Sequence, residues 1–301
     1  MSGPLRRLAG GETSVRQLAA HHLNRLYYAA RNPDGYNADG IDVFEEDWDN
    51  LLILDACRYD SFAERSTLDG TLESRTSRGS ATREWVRANF TNRQLHDVVY
   101  VSANPNYRKV ADEIGADVHA YVDVWQDDNL VGEGNTIVPP ATVTKHALAA
   151  ADEYPNKRLL VHYVQPHYPF IGPTGEEHFD PTATLKQVSR EYDVTGELLA
   201  RAYRENVELA LEAAGRLLQS LSGKTVVSSD HGELLGERLF PIPLRAYGHP
   251  AGVYVDELVE VPWHVHERGD RKRIVAETPS ERDEVDEREL EEQLRNLGYV
   301  T

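Results

Sequence analysis

The stretch that most constrains this chain is residues 225–233, which read Thr-Val-Val-Ser-Ser-Asp-His-Gly-Glu. A short apolar strand ends here in an acid, an imidazole and a glycine, so Asp230 and His231 lie at its carboxyl end. Open α/β sheets bind ligands outside the carboxyl ends of their strands, and carboxylate and imidazole are common metal ligands. Residues 51–55 repeat the design, with four apolar residues before Asp55. We therefore expect two strand ends to meet at one metal site.

The apolar pattern predicts further strands at residues 97–101, 118–124, 158–164 and 261–265. Between them lie helical patterns, and the longest covers residues 195–221 with apolar side chains at three- to four-residue spacing. Such alternation predicts an α/β fold with a mostly parallel central β-sheet sandwiched by helices.

Two connecting segments lack a strand pattern. The first half of residues 71–90 is rich in hydroxyl and arginine side chains, so we expect a loop there, followed by a helix from Arg83. We also expect a loop between Glu237 and Tyr247.

No internal repeat and no clear linker divides the 301 residues, so one catalytic domain is expected at residues 51–275. Residues 1–50 would form a helical or extended segment packed on this core. The strongly charged residues 276–301 would form a C-terminal helix or tail.

Composition excludes some partners and favours one kind of source. The net charge is −18 and only six of the 32 basic residues are lysine, which is typical of a salt-loving organism such as a halophilic archaeon. This charge would repel a phosphate backbone, so we expect no nucleic-acid interface. The N-terminus lacks the apolar core of a signal peptide, and no apolar run approaches the roughly 20 residues of a membrane span. We therefore expect a cytoplasmic protein with no integral membrane segment.

Other residues at predicted strand and helix ends could complete the site. His167 lies between two prolines just past the strand at residues 158–164, and His249 follows a glycine. Ser80 and Thr82 precede a helix, where a hydroxyl either caps the helix or acts as a nucleophile aimed from its N-terminus.

Two carboxylates and an imidazole suit Zn²⁺ or Mn²⁺ best, with Ca²⁺ or Mg²⁺ less favoured. A hydroxyl that joined them would be acidified by the metal and become a nucleophile at neutral pH. The remaining histidines and arginines would bind the free oxygens of a phosphate or sulfate and protonate the leaving group. This constellation suits cleavage of phosphoryl or sulfuryl esters through a covalent intermediate.

The run Ser-Ser-Asp-His-Gly-Glu-Leu-Leu-Gly-Glu at residues 228–237 closely resembles the signature of the sulfatase branch of the alkaline phosphatase superfamily. Four other stretches resemble family motifs in the expected order. They are the first metal-binding strand end at residues 52–60, the Pro-His-x-Pro-aromatic substrate loop at 165–170, the Gly-His to Val-Pro run at 248–262, and a frequent C-terminus at 294–300.

The resemblance covers about residues 50–301 and implies a role for each matching residue. It implies metal ligation by Asp55, Asp230 and His231, and substrate or second-site roles for His167 and His249. Arg58 follows Asp55 in the first motif and is assigned to substrate binding.

Sulfatases carry their nucleophile in Cys/Ser-x-Pro-x-Arg, and no such run is present. Cys57, the single cysteine, lacks the following proline and arginine, so we interpret it as a small buried residue beside the site. Relatives that transfer phosphoryl groups use an unmodified Thr or Ser instead. Thr82 falls at the expected distance after Asp55 and would serve as both nucleophile and metal ligand, with Ser80 as the second candidate. Leu54 replaces the first of the family's paired aspartates, which disfavours a calcium site.

Three hypotheses follow from these residues and from the resemblance. The first is a metal-dependent hydrolase or transferase of phosphate or sulfate esters that uses a hydroxyl nucleophile. The second is a sulfatase with a different nucleophile, and the third is a catalytically silent member that binds an anionic ligand or a partner. The substrate would be a small-molecule, glycan-linked or lipid-linked ester.

Overall fold

The computed structural model describes residues 15–126, 137–191, 196–279 and 286–297. Its strands are β1 (Asn50–Leu54), β2 (Thr71–Thr76), β3 (Gln94–Ser102), β4 (Asp117–Asp123), β5 (Arg158–Tyr163), β6 (Gly223–Ser228), β7 (Leu234–Arg238), β8 (Arg245–Gly248) and β9 (Glu260–Arg268). Its helices are α1 (Val15–Ala29), α2 (Tyr59–Arg65), α3 (Thr82–Phe90), α4 (Asn106–Val110), α5 (Pro140–Glu153), α6 (Pro173–His178), α7 (Leu185–Glu191), α8 (Gly196–Ser220), α9 (Asp256–Val259) and α10 (Glu287–Asn296).

Seven strands form the central sheet in the order β2-β9-β6-β1-β5-β3-β4. Strand β1 pairs in parallel with β5 and β6, and β3 pairs in parallel with β4 and β5. Only β9 runs against its neighbours β6 and β2. The predicted fold class, a mostly parallel α/β sheet, is therefore confirmed.

Alternation along β1 explains why both faces of the sheet are covered by helices. Leu51 and Ile53 lie in one buried cluster with side chains from α3 and α4, whereas Leu52 and Leu54 lie in another with side chains from α5 and α8. All four leucine and isoleucine side chains are fully buried. A strand buried on both faces is apolar at every position, which is why residues 51–54 predicted a core strand.

One loop prediction is wrong, and another loop is shorter than expected. Strand β2 lies where the first half of residues 71–90 was expected to form a loop, and it pairs with β9 at the edge of the sheet. Its side chains are exposed or half-buried, so it lacks the apolar alternation that marks a core strand. Strands β7 and β8 form a separate two-stranded ribbon that was not predicted, and the loop expected between Glu237 and Tyr247 is present as the shorter connection at residues 239–244.

The two ends of the chain are described only in part. Val43, Phe44 and Trp48 bury their side chains beside those of α3 and α4, and Leu290 and Leu294 anchor α10. Residues 298–301, which include part of the C-terminal motif, lie outside the described residues. The division into segments at residues 50 and 275 stays a prediction.

None of the helices in the described part of the chain combines the length and apolar character that crossing a bilayer requires. The cytoplasmic location and the halophilic source stay predictions.

Candidate metal centre

Polar side chains collect at the carboxyl edge of the central sheet. Asp55 follows β1, Asp230 and His231 follow β6, and His167 lies past the end of β5. Strand β2 runs in the same direction as these strands, so the loop after it delivers Thr82 to the same edge, as the first residue of α3. Parallel strands place their carboxyl ends together, which is why residues far apart in sequence meet here.

The inner cluster is the set of fully buried side chains Asp55, Thr82, His162, Asp230 and His231. The Thr82 hydroxyl oxygen lies 3.2 Å from His231 Nε2 and 3.4 Å from Asp55 Oδ1. His231 Nε2 lies 3.5 Å from Asp55 Oδ1 and 3.4 Å from Asp230 Oδ2. The structure thus brings together the four residues that the sequence assigned to the metal.

The backbone fixes Asp230 and His231 in orientation. Asp230 Oδ1 accepts hydrogen bonds from the amides of His231 at 2.9 Å and Ala56 at 3.2 Å, which leaves Oδ2 facing the cluster. His231 Nδ1 donates to the Gly232 carbonyl at 2.8 Å, so the lone pair of Nε2 points to Thr82. Holding the second nitrogen in this way fixes the tautomer of a metal-binding histidine.

The glycine of the Asp-His-Gly-Glu motif has a steric role. A side chain at Gly232 would place its Cβ only 2.1 Å from the carbonyl oxygen of Glu257. The Gly232 amide also donates to the Leu258 carbonyl at 2.8 Å. Close backbone contact therefore requires glycine beside the metal-ligand pair.

A chain of polar side chains supports Asp55. Asn104, just past β3, donates to Asp55 Oδ2 at 2.6 Å, and Asn106 donates to Asn104 Oδ1 at 2.9 Å. Arg83 in turn donates to Asn106 Oδ1 at 3.3 Å. Sequence reasoning missed Asn104, although an Asn-Pro-Asn run directly after a strand was a visible signal.

His162 was also missed. It lies on β5, with Nε2 at 3.7 Å from Asp230 Oδ2 and 4.0 Å from Asp55 Oδ2. Its Nδ1 is 2.8 Å from the Tyr100 hydroxyl. The signal was an imidazole inside an apolar strand buried on both faces.

The inner cluster fits a divalent cation. His162 Nε2 and Asp230 Oδ2 are buried and have no hydrogen-bond partner among the described residues. Metal–ligand distances of about 2.0–2.1 Å imply ligand separations of roughly 3.3–3.4 Å in a tetrahedral shell. Four separations match that value. His231 Nε2 lies 3.2–3.5 Å from the ligand oxygens of Thr82, Asp55 and Asp230, and the Thr82 hydroxyl lies 3.4 Å from Asp55 Oδ1. Burial lowers the pKa of His162 to about 4 and that of His231 well below its usual range, which keeps both rings neutral.

The outer cluster is His167, Glu233 and His249, whose ligand atoms lie within 4.8 Å of one another. The His249 ring lies between those of His231 and His167, with centroid distances of 4.6 Å and 4.8 Å. His167 Nδ1 donates to the Tyr168 carbonyl, and burial lowers its pKa well below the usual range.

Glu233 gives His249 a different character from the other two histidines. His249 Nδ1 donates to Glu233 Oε1 at 3.2 Å. Burial opposes a charge on the His249 ring, but the Glu233 carboxylate raises the pKa of His249 above its ordinary value. His249 directly follows β8, which belongs to the two-stranded ribbon and not to the central sheet. Glu233 lay inside the recognised motif but was not singled out as a site residue.

The two candidate nucleophiles occupy different surroundings. Thr82 lies in the inner cluster, whereas the Ser80 hydroxyl donates to Glu84 Oε2 at 3.0 Å or to the Pro250 carbonyl at 3.2 Å. The Val253 amide also donates to Ser80 Oγ at 3.3 Å. Ser80 therefore ties the start of α3 to a neighbouring loop, and the structure does not bring it into either cluster.

Arg58 and Cys57 flank the site. Arg58 is held by Asp60 at 2.6 Å and by Glu237, and its Nη1 also donates to the Glu233 carbonyl at 3.2 Å. The assignment of Arg58 to substrate binding stays a prediction. Cys57 is fully buried, and burial raises the pKa of its thiol far above the usual range, which suits a packing residue.

No protein-family model and no curated protein matches the sequence. Similar solved structures include a phosphonate monoester hydrolase from Silicibacter pomeroyi, at 14% identity and a TM-score of 0.47, with 82% of this chain and 72% of that chain covered. A protein in the alkaline phosphatase superfamily from Vibrio parahaemolyticus has 14% identity and a TM-score of 0.46, with 77% and 61% covered. The zinc complex of the C-terminal periplasmic domain of EptC from Escherichia coli has 12% identity and a TM-score of 0.44, with 71% and 72% covered. Scores this low do not assign an activity to the chain.

Proposed function

We propose that this chain is a metal-dependent hydrolase or transferase of phosphate esters, with Thr82 as its nucleophile. The proposal includes membership of the alkaline phosphatase superfamily, which the motifs around Asp55, Asp230, His167 and His249 support. Zn²⁺ or Mn²⁺ suits the mixed oxygen and nitrogen donors best.

The observation that carries the proposal is the position of Thr82. Its hydroxyl lies at the N-terminus of a nine-residue helix and within 3.2–3.4 Å of His231 Nε2 and Asp55 Oδ1. A hydroxyl that merely capped this helix would bond to its first-turn amides. The N-cap position of α3 is Ala81, so Thr82 is the first residue of the helix, and its hydroxyl contacts the inner cluster.

The chemistry would run in two displacements. A bound divalent cation would lower the pKa of the Thr82 hydroxyl and balance the charge of Asp55 and Asp230. The Thr82 hydroxyl would lose its proton to solvent, and its oxygen would then bond to phosphorus while the bond from phosphorus to the leaving alcohol oxygen breaks. In the second displacement, water or an acceptor alcohol would take the phosphoryl group from Thr82.

The outer cluster would act on the substrate. His167 and His249 would contact the free phosphoryl oxygens, and His249, whose pKa the Glu233 carboxylate raises, would give a proton to the leaving oxygen. The N-terminal amides of α3 would stabilise negative charge near Thr82. Glu233 would hold the His249 ring in a fixed orientation, in the way a carboxylate orients a catalytic imidazole.

A substrate panel with two variants tests this proposal. The protein loaded with Zn²⁺ or Mn²⁺ would be assayed on nitrophenyl phosphate, bis-nitrophenyl phosphate and nitrophenyl sulfate. Thr82→Ala should abolish turnover, while Thr82→Ser should keep part of it. Thr91→Ala, at the exposed end of the same helix, is the matched control and should keep full activity.

Mass spectrometry of quenched reactions should find one phosphoryl group on the peptide that contains Thr82. Turnover of the sulfate ester alone would overturn the assignment to phosphate. Metal binding without turnover of any ester, including phosphonate monoesters, would instead support a silent ligand-binding member.

A further inference from the structure

We propose that His162 binds the catalytic cation through Nε2 and that the Tyr100 hydroxyl fixes its ring for this role. The inference rests on the proposed function, because it concerns the same cation. It extends the centre beyond the residues that the recognised motifs supply, since His162 lies within strand β5 and outside each of those motifs.

The position of Nε2 is the first observation. It is buried, it has no hydrogen-bond partner among the described residues, and it faces Asp230 Oδ2 at 3.7 Å and Asp55 Oδ2 at 4.0 Å. These separations exceed a hydrogen bond, so an N–H at this position would satisfy neither carboxylate. A lone pair at this position would face negative charge on both sides. A cation held between the three side chains resolves both problems, and their ligand atoms already lie within 4.8 Å of one another.

The second observation is how firmly the ring is held. Nδ1 lies 2.8 Å from the Tyr100 hydroxyl, and Tyr100 is itself buried. Trp85 packs edge-on against the His162 ring at 5.9 Å, and the Tyr100 ring stacks on it at 6.2 Å with planes 13° apart. A hydrogen bond from Nδ1 to the Tyr100 oxygen leaves the lone pair on Nε2, which is the arrangement a metal-binding histidine needs.

The consequence concerns Thr82. With His162 included, Asp55, Asp230, His231 and His162 form a permanent set of ligands that takes no part in bond making. Thr82 can then exchange its proton for a phosphoryl group without the cation leaving the protein. We therefore expect the cation to bind more weakly when His162 is lost than when Thr82 is lost.

Competition between the full chain and a chelator for Zn²⁺ measures how strongly each variant binds the cation. Tyr100→Phe should weaken Zn²⁺ binding by about 10-fold, at the low end of the 10- to 100-fold change that loss of a residue orienting a ligand typically causes. His162→Gln, which removes the ligand itself, should weaken Zn²⁺ binding more than Tyr100→Phe does. Thr82→Ala should weaken it less than His162→Gln does. His264→Gln is the matched control and should leave the affinity unchanged. His264 is another buried histidine, it lies on β9 and is hydrogen-bonded to the Asp69 carbonyl, and its Nδ1 has no partner in the part of the chain that the structure describes.

Visible absorption of the Co²⁺-loaded protein separates a ligand from a packing residue. Loss of a nitrogen ligand in His162→Gln should change the absorption bands, whereas His264→Gln should leave them unchanged. If His162→Gln does not fold, Tyr100→Phe decides the matter through its Zn²⁺ affinity and Co²⁺ spectrum, since it removes one oxygen and keeps the ring.

An unchanged affinity and spectrum in the His162 variant, or in Tyr100→Phe where it alone folds, would overturn the inference and leave the proposed function standing. Failure of the wild-type chain to bind any divalent cation would overturn the proposed function as well.

Discussion

The inner and outer clusters lie side by side but are built differently. The inner cluster is fully buried, and its five residues lie on core strands, within three residues after them, or at the start of α3. The outer cluster lies on a loop and on a separate ribbon, and the His249 side chain is 19% exposed. The inner cluster is suited to hold a permanently bound cation, and the outer cluster is suited to contact a ligand that binds and dissociates.

Electrostatics gives the physical reason for this difference. Asp55 and Asp230 face imidazoles that burial keeps neutral, and neutral rings cannot balance two buried carboxylates. His249 has its own carboxylate in Glu233, so this pair can be charged without a cation. The inner cluster is therefore suited to a metal ion, whereas the outer cluster is suited to the proton transfer that we propose.

The largest expected effect is that of Asp230→Asn, which replaces a carboxylate of the inner cluster with a neutral amide. We expect catalytic efficiency to fall by at least about 10³-fold, the scale on which loss of a principal catalytic group is felt. The metal-free variant should be at least as thermostable as the wild type, because two like charges no longer repel each other. The rise in melting temperature on adding Zn²⁺ should shrink, because that rise follows metal affinity.

Thermal melts with and without Zn²⁺, together with the ester assay, measure both effects. Asp180→Asn, at a surface turn where the aspartate binds Thr182, is the control and should match the wild type in all three measurements. A destabilised metal-free Asp230→Asn would show that the carboxylates are paired within the protein.

His249→Ala removes an imidazole from the outer cluster and should have the next largest effect. We expect a loss of about 10²–10⁴-fold in turnover, the usual contribution of a positioned acid or base. The loss should be greater for an alkyl phosphate than for nitrophenyl phosphate, because a poor leaving group depends more on protonation. Zn²⁺ affinity should stay within a few-fold of the wild type.

The exposed His22 on α1 provides the control as His22→Ala. If His249→Ala weakened the cation as strongly as Asp230→Asn, the two clusters would form one metal-binding unit rather than two units with separate roles.

Asn104→Ala should have an intermediate effect, because it removes support from Asp55 and leaves the ligands in place. Asn104 donates to Asp55 Oδ2 at 2.6 Å, so its loss should weaken metal binding by about 10–100-fold. Saturating Zn²⁺ should restore most of the activity, which a chelator titration of the ester assay would detect. An activity loss that excess metal cannot restore would assign Asn104 to substrate contact instead.

Ser80→Ala should have the smallest effect and separates the two hydroxyl candidates. We expect a loss of about 0.5–2 kcal/mol in stability, the scale of a lost helix-start hydrogen bond, with activity close to the wild type. Denaturant unfolding and the nitrophenyl phosphate assay measure the two quantities. If the Thr82→Ala variant, which keeps Ser80, still received a phosphoryl group on the peptide that contains Ser80, the assignment of Thr82 as the nucleophile would be wrong.

Local chemistry made part of the site predictable. Residues 51–55 and 225–231 could be recognised because a strand buried on both faces reads as an apolar run and a polar residue at its end stands out. The parallel sheet followed from the same alternation of strands and helices. Strand β2 and the β7–β8 ribbon were missed because exposed strands carry no such pattern.

The sequence by itself determined the strand ends and the candidate ligands there, Asp55, Asp230 and His231, because these depend on neighbours in the chain. The tertiary structure alone placed Thr82 rather than Ser80 beside them, since the two hydroxyls are separated by a single residue and differ only in where α3 begins. Only the tertiary structure placed His162 beside the carboxylates of Asp55 and Asp230. The distance between His162 and Asp55 depends on the pairing of β1 with β5, which no local sequence pattern encodes.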